Sequence, residues 1–210
     1  MASAKKKVEA SAKPAAKARP TGDAYVALLR GINVGGKRSL PMKLLAETFV
    51  AAGCSDVRTY IQSGNVVFRA PKAVAAKLPA VVPRALAKAA GFDVPVVLRS
   101  AEELRAAVNR NPYLKQGTKA ELCHLLFLAD VPPAALVKRL DPSRSSPDEF
   151  VLVGRDAYLK LPNGVARSKL TNAYFDGTLR TVSTLRNWRT VLALLEMADT
   201  PAGSVSARAR

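Results

Sequence analysis

The sequence predicts an α+β protein, because β-rich and amphipathic segments follow one another in the order β-α-β-β-α-β and this order occurs twice in 210 residues. Each series ends in an additional helical segment. The order is that of the split βαβ or ferredoxin-like unit. We therefore expect two tandem ferredoxin-like halves, each followed by an extra helix, with antiparallel sheets of strand order 4-1-3-2.

The first half begins with a compact apolar run at residues 25–29, which suits a buried strand. Pro41 opens a helix with apolar residues at helical spacing, and Gly53 stands where a left-handed C-terminal cap is usual. Residues 57–61 and 65–68 are β-rich and are separated by three turn residues. This pattern predicts a β-hairpin.

An Ala-rich helix that ends at Gly91 and a strand over residues 94–98 complete the first series. Two prolines must kink this helix or mark a late start, because proline lacks the N–H of a helix interior. Ser100 and Glu103 form a capping box for the extra helix, which runs into Asn111.

The second half is predicted from the same order of segments. They are a strand over 122–128, a helix over 132–140, strands over 150–153 and 157–161, a helix over 169–175, a strand over 181–184 and a last helix over 188–198. Ser168 is placed as the N-cap of the helix at 169–175, and Asn187 as the N-cap of the last helix.

The chain divides into four regions by composition. Residues 1–22 contain too few large apolar side chains to offset the entropy of ordering, so we expect a disordered basic tail. The first half with its extra helix spans 23–110, the second spans 111–198, and 199–210 is predicted to be a flexible tail.

The chain is strongly basic, with a formal net charge of +17. Residues 1–22 carry +5 and residues 199–210 carry +1, which leaves about +11 on the two halves. A general basic surface and a specific polyanion footprint both agree with this charge. Neither a secretory signal nor a membrane-spanning stretch is evident, so we expect a cytoplasmic protein without a membrane partner.

The scarcity of histidine and cysteine excludes several classes of site. His124 is the single histidine and stands in an apolar strand, which favours a packed role over a catalytic one. Cys54 and Cys123 lie far apart without a CxxC partner, so neither a zinc cage nor a disulfide framework is expected. We expect no metal and no cofactor.

Polar residues cluster at one end of each predicted sheet. In a sheet of order 4-1-3-2 the loop after strand 1 and the hairpin between strands 2 and 3 leave from the same end. This places Arg30, Asn33 and Lys37 near Gln62, Ser63 and Asn65. The corresponding loops of the second half gather Arg167, Ser168, Lys169, Arg186, Asn187 and Arg189. We hypothesise that the two ends face a common cleft.

These clusters suit an anion, because the N-termini of two helices would lie beside cations there. The alternative is that Ser168 and Asn187 only cap their helices while the cations are solvated. Residues 31–37 read GINVGGK, which matches part of a phosphate-binding loop but lacks the Ser or Thr that follows the lysine in a nucleoside triphosphatase.

Four separated segments carry a family resemblance: YVALLRGINVGGK with LPM, DVRTYIQSGNVVF, LPNG with ARSKLTN, and TLRNWRTV. Between about Ala24 and Met197 they resemble the domain of unknown function 1697 family. The resemblance implies an α+β fold with two ferredoxin-like subdomains and no established activity. The family's characteristic polar positions correspond to Arg30, Gly31, Asn33, Gly35, Gly36, Gln62, Ser63, Gly64, Asn65, Ser168, Lys169, Asn172, Arg186, Asn187 and Trp188.

Three functions remain open. The first is binding of a phosphate-bearing ligand, a nucleotide or a nucleic-acid backbone, with Arg30, Lys37, Lys169 and Arg186 as charge partners and N–H groups from the glycine loop. The second is a small transferase or hydrolase that acts on a phosphorylated metabolite. In the third, the polar loops pin the two halves together and the protein acts through partners.

Overall fold

The computed structural model describes residues 22–33, 35 and 38–200, which form a mixed α+β structure with two four-stranded antiparallel sheets. The strands are β1 Asp23–Leu29, β2 Ser55–Tyr60, β3 Asn65–Ala70, β4 Val96–Ser100, β5 Cys123–Leu128, β6 Glu149–Val153, β7 Asp156–Lys160 and β8 Ser183–Asn187. Their orders are β2-β3-β1-β4 and β6-β7-β5-β8, so both sheets have the predicted 4-1-3-2 order.

Eight α-helices connect or cover these strands in the described part of the chain. They are α1 Met42–Ala51, α2 Lys72–Ala75, α3 Leu78–Ala90, α4 Ala101–Arg110, α5 Pro112–Lys115, α6 Ala134–Val137, α7 Asn172–Leu179 and α8 Trp188–Asp199. Short 3-10 turns precede β5 and follow β7.

The helices and sheets stack in five layers. Helices α1 and α3 cover one face of the first sheet, and α6 and α7 cover the outer face of the second. Helices α4 and α8, the two predicted extra helices, lie between the sheets, where Leu104 and Val191 pack with side chains from both. The division of the chain at residue 110 stays a prediction, but the two segments share this central apolar layer.

The central strands β1 and β5 are predominantly apolar because both of their faces are buried. In β1, Val26 and Leu28 join the central layer, while the intervening Ala27 joins the core under α1 and α3. In β5, Phe127 points to the central layer and Leu126 to the core under α7. Successive side chains of a strand point to opposite faces, so a strand between two helical layers needs no polar position.

A buried ion pair joins the two sheets. Arg99 in β4 donates from Nε and Nη2 to Oδ1 of Asp156 in β7, at 3.2 and 2.9 Å. Its Nη2 also donates to the carbonyl oxygens of Leu128 and Arg155. The Arg99 side chain is 1% exposed, and burial lowers its pKa even though the Asp156 carboxylate opposes that effect. This pair is the most deeply buried charged contact described between the sheets.

Several predicted helix ends are confirmed. The Ser100 hydroxyl accepts from the Glu103 N–H at 3.1 Å while the Glu103 carboxylate accepts from the Ser100 N–H at 2.8 Å, which is the predicted capping box. Gly91 adopts a left-handed conformation with φ of +77° at the end of α3. The Ala-rich helix starts late, since its main part begins at Leu78 and a separate turn, α2, precedes it.

The bounds predicted for the helix over 169–175 are wrong, because α7 begins three residues later, at Asn172, and ends at Leu179. Ser168 does not cap it. The Ser168 hydroxyl accepts from the Leu170 N–H at 3.1 Å in a local turn, and the backbone of Ser168 is extended. Thr171 is the N-cap instead, and its hydroxyl accepts from the Tyr174 N–H at 3.2 Å.

Other boundaries also differ from the prediction; most strands shift by one or two residues, for example β4, which was predicted over 94–98 and spans Val96–Ser100. The helix over 132–140 is reduced to α6, because the turns that follow it close with tighter bonds such as Arg139 N–H to the Leu136 carbonyl. The strand over 181–184 is β8, which pairs with β5 as far as Asn187. The predicted flexible tail starts too early, because Asp199 ends α8 and pairs with Arg105. The predictions on residues 1–21 and 201–210 lie outside the described residues.

Candidate functional site

A cleft lies where the end of β1, the β2–β3 hairpin and the end of β8 meet, so both halves form its walls. We call it the polar cleft. Its volume is about 390 Å³, within the range of small-molecule sites. Six of the sequence-predicted residues line it, namely Arg30, Gly31, Ser63, Asn172, Arg186 and Asn187. Of the two clusters that were hypothesised to face one cleft, Arg30 and Ser63 from the first and Arg186 and Asn187 from the second lie together here.

Arg186 reaches across the cleft from β8 to the first half. Its Nε donates to Oδ1 of Asn65 at 2.6 Å, and its Nη2 donates to the Leu29 carbonyl at 2.7 Å. Longer contacts from Nη2 meet the carbonyls of Ser63 and Gly64. Within its own half, Nη1 donates to the Thr184 hydroxyl and the Leu185 carbonyl. The five N–H groups of this guanidinium are therefore all engaged.

The positive charge of Arg186 is not neutralised by a carboxylate, since every hydrogen-bond acceptor described around it is a neutral oxygen. Burial lowers the pKa of Arg186 to about 10, because removal from water disfavours the charged form. The residue as a whole remains half-buried. At neutral pH it therefore stays protonated and carries an uncompensated charge in the wall of the cleft.

Arg30 makes the reciprocal contact from the first half to the second. Its Nη1 forms an ion pair with Oδ2 of Asp176 in α7 and donates to the Ser183 carbonyl at 3.2 Å. The Ser183 hydroxyl donates to Oδ1 of Asp176 at 2.6 Å and accepts from the Asn172 amide at 3.1 Å. Two arginines and one aspartate thus meet at the cleft, which leaves one net positive charge.

Two asparagines shape the loops of the first half. The Asn33 side chain accepts from the Leu40 N–H at 2.7 Å and donates to the carbonyls of Leu40 and Gln62, both at 3.0 Å. The Asn65 amide is fully buried and donates to the Tyr60 carbonyl and the Ser63 hydroxyl. Both side chains therefore fix the loop and the hairpin that form the first-half wall of the cleft.

Gly64 is required in the hairpin by its conformation and its neighbours. Its φ is +76°, and a Cβ added there would lie 2.8 Å from Cβ of Leu29. We expect Gly64→Ala to lower the free energy of unfolding by about 2 kcal/mol, because it adds a steric clash to an unfavourable backbone. Gly154, in the β6–β7 turn, has φ of +61° with open space around it, so Gly154→Ala should cost about half as much. Equal losses by denaturant titration would contradict the role given to the Leu29 contact.

Some predicted site residues lie elsewhere. Arg167, Ser168 and Lys169 are not in the polar cleft, because the chain turns at Ser168 and the helix starts at Asn172. The backbone of Lys169 instead contacts the Ser145 hydroxyl and the Arg144 guanidinium. Arg189 lines a neighbouring pocket. Gly35 and Gln62 are exposed and do not line the cleft, and Gly36 and Lys37 lie outside the described residues.

Several cleft residues were not predicted from the sequence. Asp176 was missed because its partner, Arg30, is 146 positions away and nothing in the sequence links them. Thr184 and Thr190 were missed because hydroxyls in apolar segments are common in strands and helices. A signal for Asp176 exists in hindsight, since it is an acidic residue in the second-half helix that carries Asn172.

Metal and imidazole chemistry find no support at this site. Within residues 22–33, 35 and 38–200, no group of three or more His, Cys, Asp or Glu side chains could hold a metal ion. His124 is buried in β5, and burial lowers its pKa. Burial also raises the pKa of the Cys54 thiol to about 11.

In the part of the chain that is described, no helix is long and apolar enough to cross a membrane.

The fold has a counterpart among solved structures. A conserved bacterial protein, SP0830 from Streptococcus pneumoniae, matches 86% of this chain and 100% of its own with a TM-score of 0.65 and 22% identity. At this identity the likeness supports the fold alone. No curated protein matches the chain.

The family match covers the first half and the start of the second. The family described as "Protein of unknown function (DUF1697)" matches residues 23–158, from the first residue of β1 into β7. The segments LPNG, ARSKLTN and TLRNWRTV follow the matched stretch. Because the match includes well over half of the chain, the protein belongs to the DUF1697 family.

Proposed function

We propose that the polar cleft binds a phosphate-bearing ligand, a nucleotide or a nucleic-acid backbone. The observation that carries the proposal is the charge of Arg186, which faces only neutral acceptors while Arg30 is paired with Asp176. A site with one net positive charge and reduced access to water favours an anion, because Coulomb interactions are screened less there.

Donors with free capacity are also present in this cleft. Both hydrogen bonds of Arg30 use Nη1, so Nη2 and Nε have no hydrogen-bond partner among the described residues. The same holds for the backbone N–H groups of Gly31 and Ile32 and for the amide nitrogen of Asn187. Charge-assisted hydrogen bonds from such groups suit phosphate oxygens.

The proposal assigns different roles to the two arginines. Arg30 contacts the ligand directly through its remaining donors, while Arg186 supplies charge without giving up its own hydrogen bonds. Asn187 adds the N-terminus of α8, which it caps by accepting from the Thr190 N–H at 2.8 Å. Lys37 remains a predicted charge partner, and Lys169 has no part in the cleft.

Two further proposals concern the topology of each half and the location of the protein in the cell. We infer that each half has ferredoxin-like topology, which the strand orders and the βαββαβ succession support. The cytoplasm remains the proposed location.

The second candidate function is structural: the polar loops pin the two halves together and the protein acts through partners. The saturated hydrogen bonding of Arg186 favours it. A guanidinium that already donates to six oxygens has a structural role whether or not a ligand binds. The enzyme alternative would be favoured by a closed pocket in which Arg30 and Lys169 are buried together. Lys169 is exposed and away from the cleft, so no observation favours that alternative.

Binding can be tested by calorimetric titration with inorganic phosphate, pyrophosphate and nucleotides. We expect Arg30→Gln to weaken binding by about tenfold to a hundredfold, because one or two charge-assisted hydrogen bonds are lost. Arg167→Gln is the matched control, since Arg167 is exposed and outside the cleft. It should leave binding unchanged.

Absence of any anion binding in the wild-type chain would leave pinning as the function of the cluster. A parallel titration with nucleic acid at several salt concentrations gives the number of phosphates engaged, from the slope of log affinity against log salt. A chain without residues 1–22 separates the contribution of the basic tail from that of the cleft.

A further inference from the structure

A second concavity adjoins the polar cleft. We call it the apolar pocket. Its volume is about 660 Å³, and its walls include Tyr60, Trp188, Leu192 and Ala193. Asn187 lines both concavities, and Tyr60 is followed in the chain by Ile61, which lines the polar cleft. The two spaces therefore meet along the β2–β3 turn and the start of α8.

We propose that the two concavities together bind a nucleotide, with the phosphate in the polar cleft and the base in the apolar pocket. This inference rests on the proposed function, because it places the phosphate beside the same arginines. It goes further by assigning the apolar pocket to the aromatic ring of the base.

The aromatic ring is inferred from apolar side chains left in water beside the phosphate site. Ile61 is 55% exposed and Leu192 is 44% exposed. Ile61 also has φ of +47°, a conformation that β-branched residues rarely adopt. Strained residues concentrate at binding sites. A flat base that packs on Tyr60 and Leu192 would bury this apolar surface, while the sugar and phosphate of the same ligand extend into the polar cleft.

The charges of the apolar pocket favour a base over a phosphate there. Its lining includes two carboxylates, Glu121 and Glu196, and one cation, Arg189. A phosphate placed in this pocket would meet a net negative charge, whereas an amino group on the base could donate to either carboxylate. A nucleic-acid strand would need a cationic track beyond the cleft, and the adjoining surface is apolar with a net negative rim.

The test compares adenosine monophosphate, adenosine and inorganic phosphate by calorimetric titration of the whole chain. We expect the monophosphate to bind at least tenfold more tightly than phosphate and than adenosine.

Two variants locate the base. Ala193→Phe fills the apolar pocket, and Leu192→Asn removes an apolar wall that is 44% exposed and does not line the polar cleft. Each should weaken binding of the monophosphate by about tenfold and leave the dissociation constant of inorganic phosphate unchanged. Unchanged phosphate binding also shows that each variant is folded. Val50→Asn is the control, since Val50 is 57% exposed on α1 and lines neither space.

The results separate failure of this inference from failure of the proposed function. Equal affinities for phosphate and the monophosphate, with no effect of Ala193→Phe, would overturn the base site and leave the phosphate site standing. Binding of adenosine as tight as that of the monophosphate, with none of phosphate, would contradict the proposed function itself.

Discussion

Replacement of Arg99 by methionine should lower the free energy of unfolding by about 3–5 kcal/mol, the range found when one partner of a buried ion pair is removed. In Arg99→Met the Asp156 carboxyl group, whose side chain is 10% exposed, is left buried without its partner. The Leu128 and Arg155 carbonyls lose a donor as well. Denaturant titration of the two proteins measures the difference as a shift of the midpoint at constant slope.

A double-mutant cycle identifies the cause of this loss. Arg99→Met combined with Asp156→Leu removes both charges, so the double variant should regain about half of the lost stability. Arg105→Met is the control, because the Arg105–Asp199 pair also joins distant segments but its side chains are 48% and 43% exposed. That variant should lose less than about 1 kcal/mol. Similar losses in Arg99→Met and Arg105→Met would show that burial does not set the strength of the pair.

The sheet orders could be predicted from the sequence because hydrophobic periodicity and turn residues are local signals. An uninterrupted apolar strand such as β1 predicts burial on both faces, and the capping box at Ser100 predicts the start of α4. The errors in the predicted helix boundaries also arise from local signals. Ser168 and Thr171 are both good N-caps by type, and only the hydrogen bonds of the folded chain distinguish them.

The first-half wall of the candidate site was predictable because a sheet of order 4-1-3-2 brings the end of β1 and the β2–β3 hairpin together. The contacts between the halves were not. Arg186 meets Asn65 across 121 positions, and this depends on how two sheets pack on a shared layer of α4 and α8. No periodicity in either half encodes that packing. The prediction that Lys169 lies in the cleft was wrong for the same reason as the predicted N-cap at Ser168, because the helix begins at Asn172 and not at Lys169.

Arg186→Met should lower the free energy of unfolding by about 3 kcal/mol, because the acceptors on Asn65, Leu29 and Thr184 lose their donor together. For a chain of this length the loss corresponds to a decrease in melting temperature of about 10 °C. Arg167→Met removes an exposed arginine of the same half and should stay within about 0.5 kcal/mol of the wild type. A loss below 1 kcal/mol in Arg186→Met would refute the structural part of its role.

Arg186→Lys separates the structural role of this residue from its electrostatic role. Lysine keeps the positive charge but has three donors on one nitrogen, so it cannot span Asn65, Leu29 and Thr184 as the planar guanidinium does. We expect stability close to that of Arg186→Met but phosphate binding close to that of the wild type. If phosphate binding falls as far in Arg186→Lys as in Arg186→Met, the geometry of the clamp controls the cleft. If binding survives, the uncompensated charge is what the cleft offers to an anion, and the hydrogen bonds serve to hold that charge where the two halves meet.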